Sequence, residues 1–180
     1  MLWYQSIPKW IQKCFPSLLW QAPSQEAPVV YLTFDDGPHP DITPFVLAQL
    51  AEYRAKATFF CIGKNILGNE QIIQDILNSG SSIGNHTMNH LNAWNVSHNQ
   101  YLQNIKLCEE VFSDNKIQSV GFRPPYGRIS PSFYYNSPSH KIYMWSVLTG
   151  DYRKELKANE IIKNCLPALK AGNIIVFHDS

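Results

Sequence analysis

From Tyr31 to Pro40 the chain reads YLTFDDGPHP, an apolar run that meets two adjacent carboxylates, a glycine and a proline. The run VVYLTF, Val29 to Phe34, has the β-branched and aromatic make-up of a buried strand, and Gly37 and Pro38 supply a turn that ends it. A strand that stops against Asp35 and Asp36 sets two like charges side by side, which repel. Two answers are open at this point. The acids cap the helix that follows, or they divide two tasks around a cation that offsets their repulsion.

Outward from this strand, helix and strand signals alternate. DITPFVLAQLAEY (41–53) predicts a helix with Pro44 in its first turn, KATFFCI (56–62) a strand, and NEQIIQDILNSG (69–80) a helix closed by Gly80. A short strand SSIG (81–84) and a long helix around SHNQYLQNIKLCEEVF (97–112) follow. SVGF (119–122), KIYMWSV (141–147) and NIIVF (173–177) are further strands, with a helix over ANEIIKNCLPALK (158–170) despite Pro167. SPSFYYNSPSH (130–140) stands where a crossover helix is needed, but its prolines and serines make a poor one. The alternation predicts an α/β fold around a parallel sheet, doubly wound or closed as a barrel.

The 180 residues suit one domain with a substantial core. Fifteen basic and fourteen acidic residues leave a net charge of +1 with no basic block, which excludes the electrostatic footprint of a nucleic-acid binder. The four cysteines form no CxxC pair and do not indicate disulfides. The start, MLWYQSIPKWIQKCFPSLLW, is broken by Pro8 and Pro16 and carries lysines among its apolar residues, so it reads as neither a signal peptide nor a transmembrane segment. Residues 1–28 are expected to be an apolar segment packing on the domain, or docking on a partner or membrane surface, plus a linker; residues 29–180 form the domain proper.

Polar residues cluster after five of the strands: Asp35 and Asp36; His86 and His90; Arg123 to Tyr126; Asp151; and His178. In a parallel α/β sheet all these ends lie on one face, where catalytic groups collect. His86 and His90 in HTMNH would face the same way on a single helical turn, although the motif lacks the glutamate of zinc-protease helices. Two histidines and an aspartate make a ligand set with open positions, compatible with zinc, iron or a similar divalent ion. Successive strand residues point to opposite sides, so one aspartate could bind the metal while its neighbour takes a proton from water.

TFDDG (33–37), HTMNH (86–90), RPPYG (123–127), the tract from Trp145 to Tyr152, and IIVFHD (174–179) stand in the order of the five motifs of the polysaccharide deacetylases of carbohydrate esterase family four, the nodulation-deacetylase homology domain. The sequence resembles this family from about Val29 to Ser180. The resemblance implies a distorted, incomplete β/α barrel, and hydrolysis of the linear amide of N-acetylglucosamine-containing glycans, peptidoglycan-like or chitin-like, with release of acetate. It implies Asp35 as general base, oriented by Arg123, and Asp36, His86 and His90 as ligands of a divalent metal, zinc first, with cobalt, nickel or iron also compatible. The Tyr126 N–H would hold the oxyanion, His178 paired with Asp151 would be the general acid, and Pro124, Tyr152 and Val176 would contact substrate. The partner implied is a glycan; a catalytically impaired glycan binder and an amidohydrolase of small N-acyl or cyclic amides are the alternatives.

The sequence departs from the family pattern in places. Leu148 stands for the first acid of the fourth motif, Tyr152 for its tryptophan, and Val176 for the leucine of the fifth. The stop at Ser180, two residues past His178, predicts a truncated form whose last helix and strand are missing and whose His178 is poorly held. The family suggests action in the envelope or outside the cell; the sequence leaves the compartment and the oligomeric state open. Tyr4, Trp94, Tyr126 and Tyr152 are available to stack on sugars, whereas His39, His98 and His140 match no motif.

Overall fold

The computed structural model describes residues 7–23, 28–136 and 141–180. Six strands, β1 (Tyr31–Asp35), β2 (Ala57–Cys61), β3 (Ser82–Asn85), β4 (Ser119–Phe122), β5 (Val147–Leu148) and β6 (Ile174–His178), make one sheet in the order β4, β3, β2, β1, β6, β5. Every neighbouring pair is parallel. The helices are α1 (Lys9–Cys14), α2 (Ile42–Glu52), α3 (Gly63–Ile66), α4 (Glu70–Asn78), α5 (His98–Asp114), α6 (Pro131–Asn136) and α7 (Ala158–Cys165). The α/β expectation therefore holds, with the sheet open rather than closed.

Burial explains the continuous apolar strands. In β2, Phe59 and Cys61 face a cluster with Ile73 and Ile76 of α4 and Cys108 and Phe112 of α5. Phe60, pointing the other way, is equally buried, so both faces of the sheet centre are covered. A second cluster joins Tyr101, Phe122, Phe133 and Met144 to Leu18 and Trp20 of the N-terminal segment. That segment also bridges the sheet, Leu19 pairing with Tyr143 and Gln21 with Asn173. Tyr4 and His140 lie outside the described residues. All four cysteines are free thiols, Cys14 exposed and the others buried.

Local chemistry sets the helix ends. The Ser97 hydroxyl accepts the Gln100 N–H while the Gln100 side chain accepts the Ser97 N–H, a capping box that starts α5. Gly80, with φ of 75°, turns the chain out of α4 into β3. Pro131 to Asn136 does form a helix, but only six residues long.

KIYMWSV departs from the sequence expectation of one continuous strand. Lys141 and Tyr143 bond both sides of Phe122 at the β4 edge, the Phe122 N–H donating to the Lys141 carbonyl at 2.8 Å and the Tyr143 N–H to the Phe122 carbonyl at 2.7 Å. A few residues on, the Ser146 N–H donates to the Ile174 carbonyl of β6, 3.0 Å away, and the segment becomes β5, the opposite edge. A segment that leaves one edge and joins the other cannot pair along its whole length, so only Val147–Leu148 counts as strand. This tie draws the two edges of the open sheet together and gives it the character of an incomplete barrel.

Candidate active site

Asp35 is the last residue of β1, in register with Phe60 on one side and His178 on the other. Arg123 lies one residue past β4 and is fully buried. One guanidinium nitrogen donates to Asp35 Oδ1 and Thr33 Oγ1, each at 2.7 Å, and another donates to the Met144 carbonyl at 3.0 Å. The Phe60 ring stacks beneath, 4.1 Å from the guanidinium carbon. Burial pulls the Arg123 pKa down against the opposing charge of Asp35, and the guanidinium remains the counter-ion of that carboxylate.

Asp36 is placed differently from the sequence reading. It lies beyond the strand in a left-handed conformation, φ 78°, so a turn and not the strand pleat separates the two acids. The turn is pinned from the side: Asn65 Nδ2 donates to the Asp36 carbonyl at 2.7 Å, and the Ile62 N–H to the Gly37 carbonyl at 2.9 Å. The HTMNH stretch is likewise a loop and not a helical turn. Thr87 and His90 take positive φ values of 66° and 54°, reversing the chain so that both imidazoles converge. Side chains supply what a helix would have: Asn85 Oδ1 accepts the Thr87 N–H, Asn104 Oδ1 the Asn89 N–H, and Thr87 Oγ1 the Leu91 N–H.

One ligand atom each from Asp36, His86 and His90 falls within 4.8 Å of the others. His86 Nδ1 is 2.8 Å from the Arg123 carbonyl, which can only accept, so Nδ1 carries the proton and Nε2 presents a bare lone pair. The His86 and His90 Nε2 atoms stand 3.4 and 3.1 Å from Asp36 Oδ1, yet this buried oxygen has no partner of hydrogen-bond geometry. Two imidazole nitrogens and a carboxylate oxygen converging on one point fit a divalent cation.

On the other side of Asp35, Asp151 clasps His178 twice, Oδ2 accepting its backbone N–H and Oδ1 pairing with Nδ1, both at 2.7 Å. Burial lowers the His178 pKa, but the Asp151 hydrogen bond and the charges of Asp35, Asp151 and Asp36 prevail and raise it. Tyr152 packs edge-on against the His178 ring at 5.1 Å. His178 is therefore firmly held by its pairing with Asp35 in β1 and by Asp151, against the expectation of a loose end.

A cavity of about 520 Å³ brings the groups together. Asp35, Asp36, His86, His90, Pro124, Tyr126, Tyr152, Val176 and His178 line it, with Arg123 and Asp151 directly behind. Tyr126 is a non-glycine residue at φ 61°, its exposed ring 4.6 Å from that of His90. Trp145, Leu148 and Arg128 also form the wall; of these, the sequence reading named no role for Trp145 or Arg128.

Asp179, the last residue of IIVFHD, has no role among those the family resemblance implies. Its N–H donates to the Asp35 carbonyl at 3.1 Å, and its fully buried carboxylate accepts the Thr43 hydroxyl at 2.6 Å. The carboxylate lies where a Cβ on Gly37 would be, which reserves that position for glycine. Burial, aided by the charge of Asp35 and opposed by the Thr43 hydrogen bond, pushes Asp179 up to about 7. The folded state thus keeps a proton that the unfolded chain releases near pH 4. The associated stability is complete below that pH and is lost as the pH rises through the folded value. Asp179→Asn keeps the shape without the titration. Its unfolding free energy is expected to fall between pH 5 and 8 by roughly 2 to 3 kcal/mol less than that of the wild type. Parallel curves in thermal or denaturant unfolding would refute this.

Comparison with known proteins places this geometry. The polysaccharide deacetylase family profile matches residues 22–145. A peptidoglycan-N-acetylglucosamine deacetylase of Bacillus cereus is 34% identical over 167 residues, covering 89% of this chain and 76% of that protein. A chitooligosaccharide deacetylase of Sinorhizobium fredii is 35% identical over 159 residues, 85% of this chain and 73% of the relative. A crystal structure of a peptidoglycan N-acetylglucosamine deacetylase in complex with 4-naphthalen-1-yl-N-oxidanyl-benzamide superposes with a TM-score of 0.83 at 32% identity, covering 97% of this chain and 81% of that one. With its fold and sequence in agreement, the chain belongs to the polysaccharide deacetylase family.

Proposed function

We propose that this protein hydrolyses N-acetyl groups of N-acetylglucosamine-containing glycans, releasing acetate, with a divalent metal, zinc first, held by Asp36, His86 and His90. The observation that carries this reading is the single cavity in which the three-ligand cluster lies between two carboxylate dyads, Asp35 with Arg123 and Asp151 with His178. A cation bound there would supply Lewis acidity, polarising the acetyl carbonyl and making water a better nucleophile at neutral pH.

The protein's own groups carry the protons. Asp35, oriented by Arg123, accepts a proton as water attacks the acetyl carbon. The Tyr126 N–H stabilises the oxyanion that forms. Asp151 fixes His178 through Nδ1 and favours its protonated form, so Nε2–H delivers a proton to the amide nitrogen as the C–N bond breaks. Acetate and a free amino sugar result. Pro124, Tyr152 and Val176 shape the space for the sugar and the acetyl methyl.

The direct test is acetate release from N-acetylglucosamine oligomers by the purified chain, before chelation, after it, and with zinc restored. Release that is lost on chelation and recovered with zinc is expected. Folded, metal-loaded protein that binds the oligomers without releasing acetate would instead establish a glycan-binding function.

A further inference from the structure

Beyond the catalytic groups, the cavity wall carries a cation that hydrolysis does not use. The Arg128 guanidinium sits 4.7 Å from the centre of the Trp94 ring and 5.8 Å from that of Tyr126. Trp94 is itself fixed, its indole N–H donating to the Ile129 carbonyl at 3.2 Å. Both rings face solvent, Trp94 being 65% and Tyr126 60% exposed. Among the described residues, Arg128 is the one lysine or arginine lining the catalytic cavity, and no described carboxylate forms an ion pair with it. The Tyr126 ring that it approaches also lies 4.6 Å from the ring of His90.

The chemistry of this arrangement favours an anion. Two aromatic faces hold the planar guanidinium fork without satisfying its hydrogen-bond donors, and a preoriented fork matches the two oxygens of a carboxylate. A neutral sugar would gain more from bare rings than from rings already covered by a guanidinium. A second cavity, lined by Trp94, Trp20 and Tyr134, shares Gly127 with the first, which leaves aromatic surface on the far side of the Arg128–Trp94 contact.

We propose that Arg128, held by Trp94 and Tyr126, is a carboxylate-recognition subsite. It makes the enzyme prefer N-acetylhexosamine chains with a carboxylate on the sugar next to the one deacetylated over neutral N-acetylglucosamine oligomers. This rests on the deacetylase reading above. The carboxylate can be an ether-linked lactyl acid of the sugar or an acid of a peptide attached to it.

The test compares kcat/KM for three tetrasaccharides. One is neutral, one carries free lactyl carboxylates on alternate sugars, and one carries short acidic peptides amide-linked at those positions. The wild type is expected to favour at least one acidic substrate by about tenfold, the scale of one charge-assisted bidentate contact, and added salt is expected to reduce that ratio. Arg128→Gln should bring the ratio close to one, Arg128→Lys should retain part of it, and whichever acidic substrate loses its advantage identifies the source of the carboxylate. An Arg128→Gln protein that keeps the wild-type ratio, or slows on all three substrates by one common factor, would overturn the proposal. If no substrate releases acetate, the deacetylase reading is what fails. Calorimetric binding of the same tetrasaccharides then decides the role of Arg128, an acid preference that the glutamine variant loses supporting it and an unchanged preference sinking it.

Discussion

Asp36→Ala is expected to leave the purified protein without bound divalent metal and to cut acetate release by about a thousandfold or more, the several kcal/mol that a Lewis acid contributes to such a transition state. His86 and His90 alone offer two ring nitrogens, and the negative charge that attracts a cation to the cluster comes from Asp36. The variant also removes a buried carboxylate oxygen that has no hydrogen-bond partner, so the metal-free fold should not suffer. That yields a readout apart from turnover. Zinc should raise the melting temperature of the wild type, by mass action on the folded state, and leave that of Asp36→Ala unmoved. Elemental analysis showing stoichiometric metal in an active Asp36→Ala protein would remove Asp36 from the metal site.

The features that sequence could and could not reveal differ in physical kind. The strands were legible because both faces of the sheet centre are buried, which demands continuous apolar runs such as TFFC at Thr58 to Cys61. The convergence of Asp35, His86, Arg123, Asp151 and His178 was legible because parallel strands put their C-terminal ends together, whatever the loops do. Loop conformation was not. Asp36, Thr87, His90 and Tyr126 all take positive φ without being glycine, and tertiary contacts impose what residue type would not suggest. Hence the candidate ligands were paired with the wrong geometry, a helical turn for HTMNH and a strand pleat for the two aspartates. KIYMWSV read as one strand because its composition is apolar, but composition does not show that its two ends serve opposite edges of the sheet. The roles of Thr33 beneath Arg123 and of Thr43 against Asp179 depend on contacts more than 80 residues apart in sequence and leave no local pattern.

Asp35→Asn is expected to lower kcat by a factor of about 10² to 10⁴, the range for loss of a positioned general base, while the protein keeps its metal. The amide resembles the carboxylate in shape, so substrate binding should change far less than turnover. The variant has a second consequence, because Arg123 is fully buried and Asp35 is the carboxylate it pairs with. Breaking a buried pair from one side costs roughly 3 to 5 kcal/mol, since the remaining charge stays in a low-dielectric site without its counter-ion. Arg123→Met should cost a similar amount by stranding the carboxylate. The double variant removes both charges, so its loss of stability should be smaller than the sum of the two single losses. Turnover should not recover with it, because neither change restores an acceptor for the proton. Unfolding curves and single-turnover rates on the three variants separate the roles. Stability recovered without activity assigns Asp35 both the ion pair and the proton transfer, whereas near-wild-type turnover in Asp35→Asn would move the base to another residue.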